Sequence, residues 1–345
     1  MKRITFEELN RYLRDIWRAT GASAEDSAVM ADIFIETTKR GVGHHDIHNF
    51  PSRIDRVREG MINPSPKITK IASFGAMESW DGDHGTGEVL NHFIMDRAME
   101  LASVHGIGMA TIRNSNHYLC SAPYIEQAAR GGYVGFMMAK AGSAMGLPGI
   151  KGNVIGQSPI GYAFPTDAED PVMMDVCLAY IAHEPLLIRA QKNESVPAYW
   201  GVDKDGNPTT SAADIINGGV KYPIGLHKGF GLALLEELLT GVFSMGAILD
   251  EGEDAPIYRG TSHTAIAIKT DALMDKKTYE ARSRELVERL RKRSEKIHIP
   301  GDSSWAKKKA YNACGYFELE DDLIEKFNAY AAEYGVNPVV VLGEK

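Results

Sequence analysis

The amino-acid sequence predicts an α/β fold, and three observations carry the prediction. The middle of the chain alternates strand-like and helical apolar patterns. Capped amphipathic helical patterns open the chain, and further helical patterns close it. Apolar residues make up 44% of the 345 and charged residues 24%, so a core can form throughout and no segment has a disordered composition.

At the N-terminal end, Thr5 and Glu8 have the spacing of a capping box, and Phe6, Leu9, Leu13, Ile16 and Trp17 recur at helical spacing. Ser23 and Asp26 open a second helix that runs to about Arg40. Gly41 and Gly43 end it, because glycine enters the left-handed conformation at little cost. A short helix from Pro51 to Glu59 follows, with Ile54, Val57 and Met61 on one face. ITKIASFGAMESWDG holds two strand-like runs. HFIMDRAMELASVHG is helical, and GIGMATIRNS is a strand that enters a polar turn. APYIEQAARGG reads as a helix, YVGFMMAKA as a buried strand, and GYAFP and DPVMMDVCLA as further strands. HKGFGLALLEELLTGVFSMG is a long apolar helix expected to be buried on most sides. TAIAIKT is a late strand, and TYEARSRELVERLRKR and DDLIEKFNAYAAEYG are surface helices.

A net charge of −8 and a pI near 5.8 give a field of the wrong sign for nucleic acid. The basic run RLRKRSEK falls on a predicted helix, where a solvated face explains it. Cys120, Cys177 and Cys314 lack the spacing of a disulfide framework or a zinc site. The opening MKRITFEELNRYL is amphipathic rather than signal-like, and no apolar run is long enough to span a bilayer. The expectation is a reduced, cytoplasmic protein without a membrane or nucleic-acid partner.

The densest chemistry lies in RGVGHHDIHNFPSR, where His44, His45 and His48 surround Asp46 just after a helix. Histidine and carboxylate can bind zinc or iron, but neighbouring histidines do not readily face one ion, and no further ligand is nominated. An imidazole with a pKa near 6.5 also suits proton transfer, and a polar loop is the third reading. His117 closes a strand in Asn114-Ser115-Asn116-His117, as a proton shuttle or as a locally satisfied turn residue. The G-x-G-x-x-G pattern of a Rossmann unit is missing, with Gly85, Gly87 and the Gly229–Gly231 pair giving fragments only. Gly225 to Gly231 with Lys228 precede the long helix, and can hold a phosphate or form a flexible loop.

Arg40-Gly41 with His45, EGMINPSPK, RNSNH, VIGQSPIGYAFP, DGNPTT, LHKGFGL and IPGD occur in an order that resembles the malate/L-lactate dehydrogenase family of non-Rossmann 2-oxo-acid oxidoreductases. MKRITFEEL and SFGAMESWD resemble its diketogulonate reductase branch, which handles sugar acids. The resemblance implies a large mixed sheet with a non-Rossmann NAD(P) site, flanked by helices from both chain ends. It implies a helical part with the acid/base loop at 1–120, a nucleotide-binding sheet region at 121–270, and helices at 271–345 that return to the first part. It also implies a homodimer and reversible hydride transfer between a 2-oxo and a 2-hydroxy acid, with NAD as cofactor and NADP left open.

Carried over by position, the resemblance makes His45 the acid/base residue, assisted by His44 or Asp46. It makes His117 an orienting or alternate acid/base group, and puts His48, Asn49 and Arg53 at the substrate. Lys140, Gly142, Asp175, Val176, Cys177, His227, Lys228, Gly301, Asp302 and Ser303 fall on cofactor positions; no metal is implied. The loop departs from the family text, in which S-H-G is followed by an arginine. Here it reads His44-His45-Asp46, with Asn49 at the arginine position. Asparagine cannot reproduce the bidentate arginine fork on a carboxylate, and Asp46 repels an anion. Three accounts fit: Arg53 or Arg56 holds the carboxylate, the substrate offers hydroxyls or a cationic group to Asp46 and Asn49, or the fold is kept without the ordinary activity; a changed substrate is the expectation. Asp175-Val-Cys-Leu-Ala179 replaces D-M-A-T-S, and Gln157-Ser158-Pro159 replaces T-N-P. An imine or N-substituted 2-amino acid reductase, an idle NAD(P)-binding protein and a metal-dependent hydrolase are the rival readings.

Overall fold

The computed structural model describes residues 1–43, 45–251 and 261–343. Strand β1 (Lys2–Thr5) leads into α1 (Phe6–Ala19), then α2 (Ala24–Lys39) and, after a 3-10 turn at Ile47–Asn49, α3 (Phe50–Arg58). β2 (Thr69–Phe74) and β3 (Met77–Asp81) form a hairpin, and α4 (Gly87–His105) crosses over to β4 (Ile107–Ser115). α5 (Ala122–Arg130) precedes β5 (Tyr133–Ala139), β6 (Ser143–Met145), β7 (Ile155–Gly156), β8 (Ile160–Phe164) and β9 (Val172–Val176). α6 (His183–Gln191), β10 (Gly201–Val202), α7 (Ala212–Ile216), β11 (Val220–Lys221) and α8 (His227–Glu237) follow. The chain closes with β12 (Thr261–Lys269), α9 (Lys276–Arg291), α10 (Asp302–Cys314), β13 (Tyr316–Leu319) and α11 (Asp321–Tyr334).

The central sheet has seven strands in the order β2-β3-β4-β12-β5-β8-β9. Only β3 and β4 run parallel, as the helical crossover between them requires; the other pairs are antiparallel. The expected large mixed sheet is therefore present. Late strand β12 pairs with both β4 and β5, so the sheet joins strands from both sides of residue 120. A smaller sheet, β10-β11-β6-β7, stands apart from it, and β1 pairs with β13 to bring the chain ends together.

Both capping signals are realised: Thr5 Oγ1 accepts from Glu8 N at 3.2 Å and Ser23 Oγ from Asp26 N at 2.9 Å. α2 stops where expected, with Gly41 and Gly43 at φ +59° and +75°. The terminal helices meet around an aromatic cluster in which Phe50 lies edge-on to both Phe34 and Phe327, and Tyr12 stacks on Phe327. That cluster anchors the polar loop, because Ile47 and Phe50 on its far side are fully buried. Each contributes about 1.5–3 kcal/mol by removing its side chain from water.

Two expectations about burial change. α11 is amphipathic rather than merely superficial, since Leu323, Ile324, Phe327 and Tyr330 enter the core, whereas α9 buries nothing. The long apolar helix is not buried on most sides: Leu232, Leu234, Leu235, Leu238, Val242, Phe243 and Met245 are all exposed. The inner face alone packs on the small sheet and β12, leaving the other leucines in solvent.

Candidate active site

The loop after α2, the turn after β4, the ends of β5 and β9, and the turn before α10 converge on one cleft of about 1250 Å³. A single small-ligand site occupies roughly 300–1,000 Å³, so the cleft has room for more than one small molecule. Its walls bring together His45, Asn49, His117, Lys140, Gly142, Asp175, Val176, Cys177, Gly301 and Ser303. His44 lies outside the described residues.

His117 is the most tightly built of these residues. Gly87, at the start of α4, lets the helix meet the turn: a Cβ there would stand 2.3 Å from Asn116 O and 2.5 Å from His117 C. Asn116 Nδ2 donates to His84 O and Gly85 O, and buried His263 bonds Asn116 O through Nε2 at 3.1 Å. Leu119 takes φ +67°, a strained value for leucine, and its N–H thereby reaches His117 Nδ1 at 3.1 Å. Arg53 Nη2 lies 3.2 Å from the same nitrogen. Two donors on Nδ1 assign the ring proton to Nε2. Burial, then the Arg53 charge, hold the His117 pKa well below its ordinary value. His117 is thus a neutral imidazole with a defined N–H.

Arg53 does not face the cleft, although it was expected at the substrate. It is 2% exposed and its Nε donates to buried Glu88 Oε1 at 2.9 Å. It stands behind His117 and fixes that ring. Nor does Arg56 line the cleft.

His45 faces His117, with ring centroids 4.9 Å apart at 32°. Its loop is held by Ile47 N donating to Thr38 Oγ1 at 3.1 Å. Asp46 was expected to assist His45, but Asp46 Oδ1 accepts from His48 N at 3.0 Å and lies 2.7 Å from His48 Nδ1. His48 Nε2 lies 2.9 Å from Glu320 Oε2. Asp46, then Glu320, push the His48 pKa up to about 9 against the effect of burial. His48 therefore ties the loop to the start of α11 and is turned away from the substrate side.

Among the expected cofactor positions, Lys140 is buried and donates to Leu249 O at 2.9 Å, while Gly142 has open space where a side chain would be. Asp175 Oδ2 accepts from Ala122 N at 3.0 Å, at the positive end of α5. Burial raises the Cys177 thiol, so it supplies bulk rather than a thiolate. Gly301, at φ +102°, starts α10 and brings Ser303 to the wall. Asp302 instead accepts from Ile299 N and Arg291. His227 and Lys228 lie exposed at the start of α8, outside the cleft wall. The wall also contains Gln157, Lys221, His183, His298 and Lys307, of which only Gln157 stood in a recognised segment.

The family pattern described as malate/L-lactate dehydrogenase matches residues 4–328. The chain belongs to the malate/L-lactate dehydrogenase family. This family member is 32% identical over 289 residues to the 2,3-diketo-L-gulonate reductase of Klebsiella pneumoniae, covering 83% of this chain and 86% of that one. The sulfolactate dehydrogenase of Methanocaldococcus jannaschii superposes with a TM-score of 0.90 at 28% identity, over 97% and 98% of the two chains. The malate dehydrogenase of Entamoeba histolytica gives 0.89 at 22% identity over 97% and 99%, a likeness of fold. The expected class therefore holds: the chain is a dehydrogenase of the kind that interconverts oxo and hydroxy acids.

Proposed function

We propose that the cleft reduces a hydroxyl-bearing 2-oxo acid of the sugar-acid type to the 2-hydroxy acid, with NADH preferred over NADPH. The observation that carries this reading is the pairing of His45 with a neutral, tautomer-fixed His117 at a cleft that also buries lysine ammonium groups. The residues fit a dinucleotide: Lys140, Lys221 and Lys307 offer positive charge, and Gly142 offers close approach of backbone. The nicotinamide, when bound, supplies the hydride. His117 donates its Nε2–H to the substrate carbonyl oxygen and so orients and polarises it. His45 delivers the proton to that oxygen, and takes it back in the oxidative direction. Asn49, on the same wall, pairs with a substrate hydroxyl rather than with a carboxylate.

The exposed leucines of α8 with Val242 and Phe243 support a homodimer, since an apolar patch of that kind marks a protein contact. The free thiols Cys120, Cys177 and Cys314 suit a reducing compartment such as the cytoplasm.

Oxidation of NADH and NADPH should be followed with a panel of 2,3-diketogulonate, other 2-oxo sugar acids, pyruvate, oxaloacetate and a cyclic imine. Turnover of a sugar acid well above pyruvate, with NADH, is expected. Turnover of the imine alone, or binding of cofactor with no turnover, overturns the reading.

A further inference from the structure

Lys221 is the last residue of β11, held by pairing with Gly201 of β10 on one side and Met145 of β6 on the other. Its backbone carbonyl accepts from Gly146 N at 2.9 Å, so its Cα is fixed. The side chain reaches the cleft, yet the residue is only 6% exposed. Its Nζ donates to Gln157 Oε1 at 2.6 Å. Among the described residues no carboxylate lies within ion-pair distance of it. The contrast with the other buried cations is sharp: Arg40 is paired with Glu126 and Arg53 with Glu88. Lys140 in the same cleft is capped by the Leu249 carbonyl.

Burying an ammonium is unfavourable unless charge and hydrogen bonds compensate it. An ammonium has three donors, and Gln157 takes one. Gln157 accepts through Oε1, which leaves its amide N–H groups as further donors beside the same ammonium. Two polar side chains with spare donors, one of them cationic, on the wall of a ligand cleft form a receptor for an anion. We propose that Lys221 and Gln157 are a specificity-determining subsite that binds an anionic oxygen group of the cleft's ligands, either the carboxylate of the oxo acid or a phosphate of the dinucleotide. This rests on the reading of the cleft as an oxo-acid reductase site. It also supplies what the loop lacks, since Asn49 stands where an arginine was expected and Arg53 is committed to Glu88. Burial lowers the Lys221 pKa to about 8, which keeps the side chain largely cationic at neutral pH, and a bound anion would restore it further.

The test compares wild type with Lys221→Met and Lys221→Arg. The measurements are NADH affinity by fluorescence, KM for the oxo acid, calorimetric binding of inorganic pyrophosphate and of oxalate, and Tm without ligand. The Met variant is expected to weaken one matched pair at least about tenfold, with the Arg variant keeping most of the affinity. Loss of NADH and pyrophosphate identifies phosphate as the source, and a raised KM with loss of oxalate identifies carboxylate. Its unliganded Tm should be unchanged or higher, because an uncompensated buried charge has gone. Affinities within about twofold of wild type for both pairs overturn the proposal. So does a Tm that falls in the Met variant and is restored by Arg with ligand affinity unaltered, which makes the ammonium structural. Should the wild type bind no nucleotide and reduce no oxo acid, the functional reading falls, and pyrophosphate and oxalate binding still decide the role of Lys221.

Discussion

Arg53→Met separates the structural and chemical duties of one buried arginine. Arg53 and Glu88 are 2% and 0% exposed at the side chain, with Nη2 and Oε1 2.7 Å apart. Removing one partner strands a buried charge, a loss of about 3–5 kcal/mol. Replacing both partners by apolar side chains removes the stranded charge, so Arg53→Met with Glu88→Met should recover all but about 1 kcal/mol. Activity should not recover with it. In the double variant His117 Nδ1 has lost the Arg53 donor, and the charge that helps hold the ring neutral is gone. The His117 pKa then rises towards its ordinary value, and a new acid limb enters the kcat profile as the ring becomes protonated on lowering pH. The assays are urea unfolding for stability and kcat against pH for chemistry. A double variant with wild-type kcat and an unaltered acid limb would refute the claim that Arg53 sets the state of His117. A single variant that loses less than about 1 kcal/mol would refute the buried-pair argument.

Other outcomes follow from the same packing. Gly87→Ala puts a methyl 2.3 Å from Asn116 O, so kcat should fall by at least about tenfold as the His117 turn shifts; a fully active, equally stable variant contradicts that fit. Burial and then Glu237 push the Glu236 carboxyl up to about 9, so ionising it costs stability as pH rises above its unfolded value. Glu236→Gln should therefore stabilise the fold at pH 8 by on the order of 2 kcal/mol, measured by denaturant midpoints, and a loss of stability there would be the wrong sign. The folded pKa of His48 is raised to about 9 by Asp46 and Glu320, so its contribution is complete below the unfolded value and is lost as pH rises through about 9. Thermal melts of His48→Gln against wild type should differ by on the order of 1 kcal/mol or less at pH 6, given a half-exposed side chain, and converge by pH 10. A gap that widens with pH contradicts the tether.

Most of the helices and the strands of the seven-stranded sheet could be read from periodicity and caps, because those signals are local, whereas α6, α7, α10 and the short strands of the smaller sheet were not read. Thr5, Ser23, Gly41 and Gly43 act within one turn of their positions. Strand order could not be read that way: β12 inserts between β4 and β5 from far along the chain, and pairing over such separations leaves no local pattern. The exposed face of α8 misled for a related reason. Apolar content predicts burial but does not say which elements of the chain will cover it.

The site divided along the same line. His45, His117 and the Asp175–Cys177 strand were legible through ordered motifs and do share a cleft. Asp46 and His48 lie close to His45 in sequence, and Arg53 follows in α3, but all three face other partners, since a few residues along a helix or 3-10 turn move a side chain to a different face. Lys221 sits in an unremarkable two-residue strand. Its proposed role rests on the lack of a carboxylate partner among the described residues, which only the folded chain displays.

The most direct test of the account is NADH binding and NADH oxidation measured side by side for wild type and His45→Ala with a 2-oxo sugar acid. Turnover lost by orders of magnitude with NADH affinity unchanged is the predicted result, because in the proposed chemistry His45 moves the proton and does not hold the nucleotide. Turnover equal to wild type would contradict the assignment of the proton to His45, and with it the chemistry proposed for the cleft.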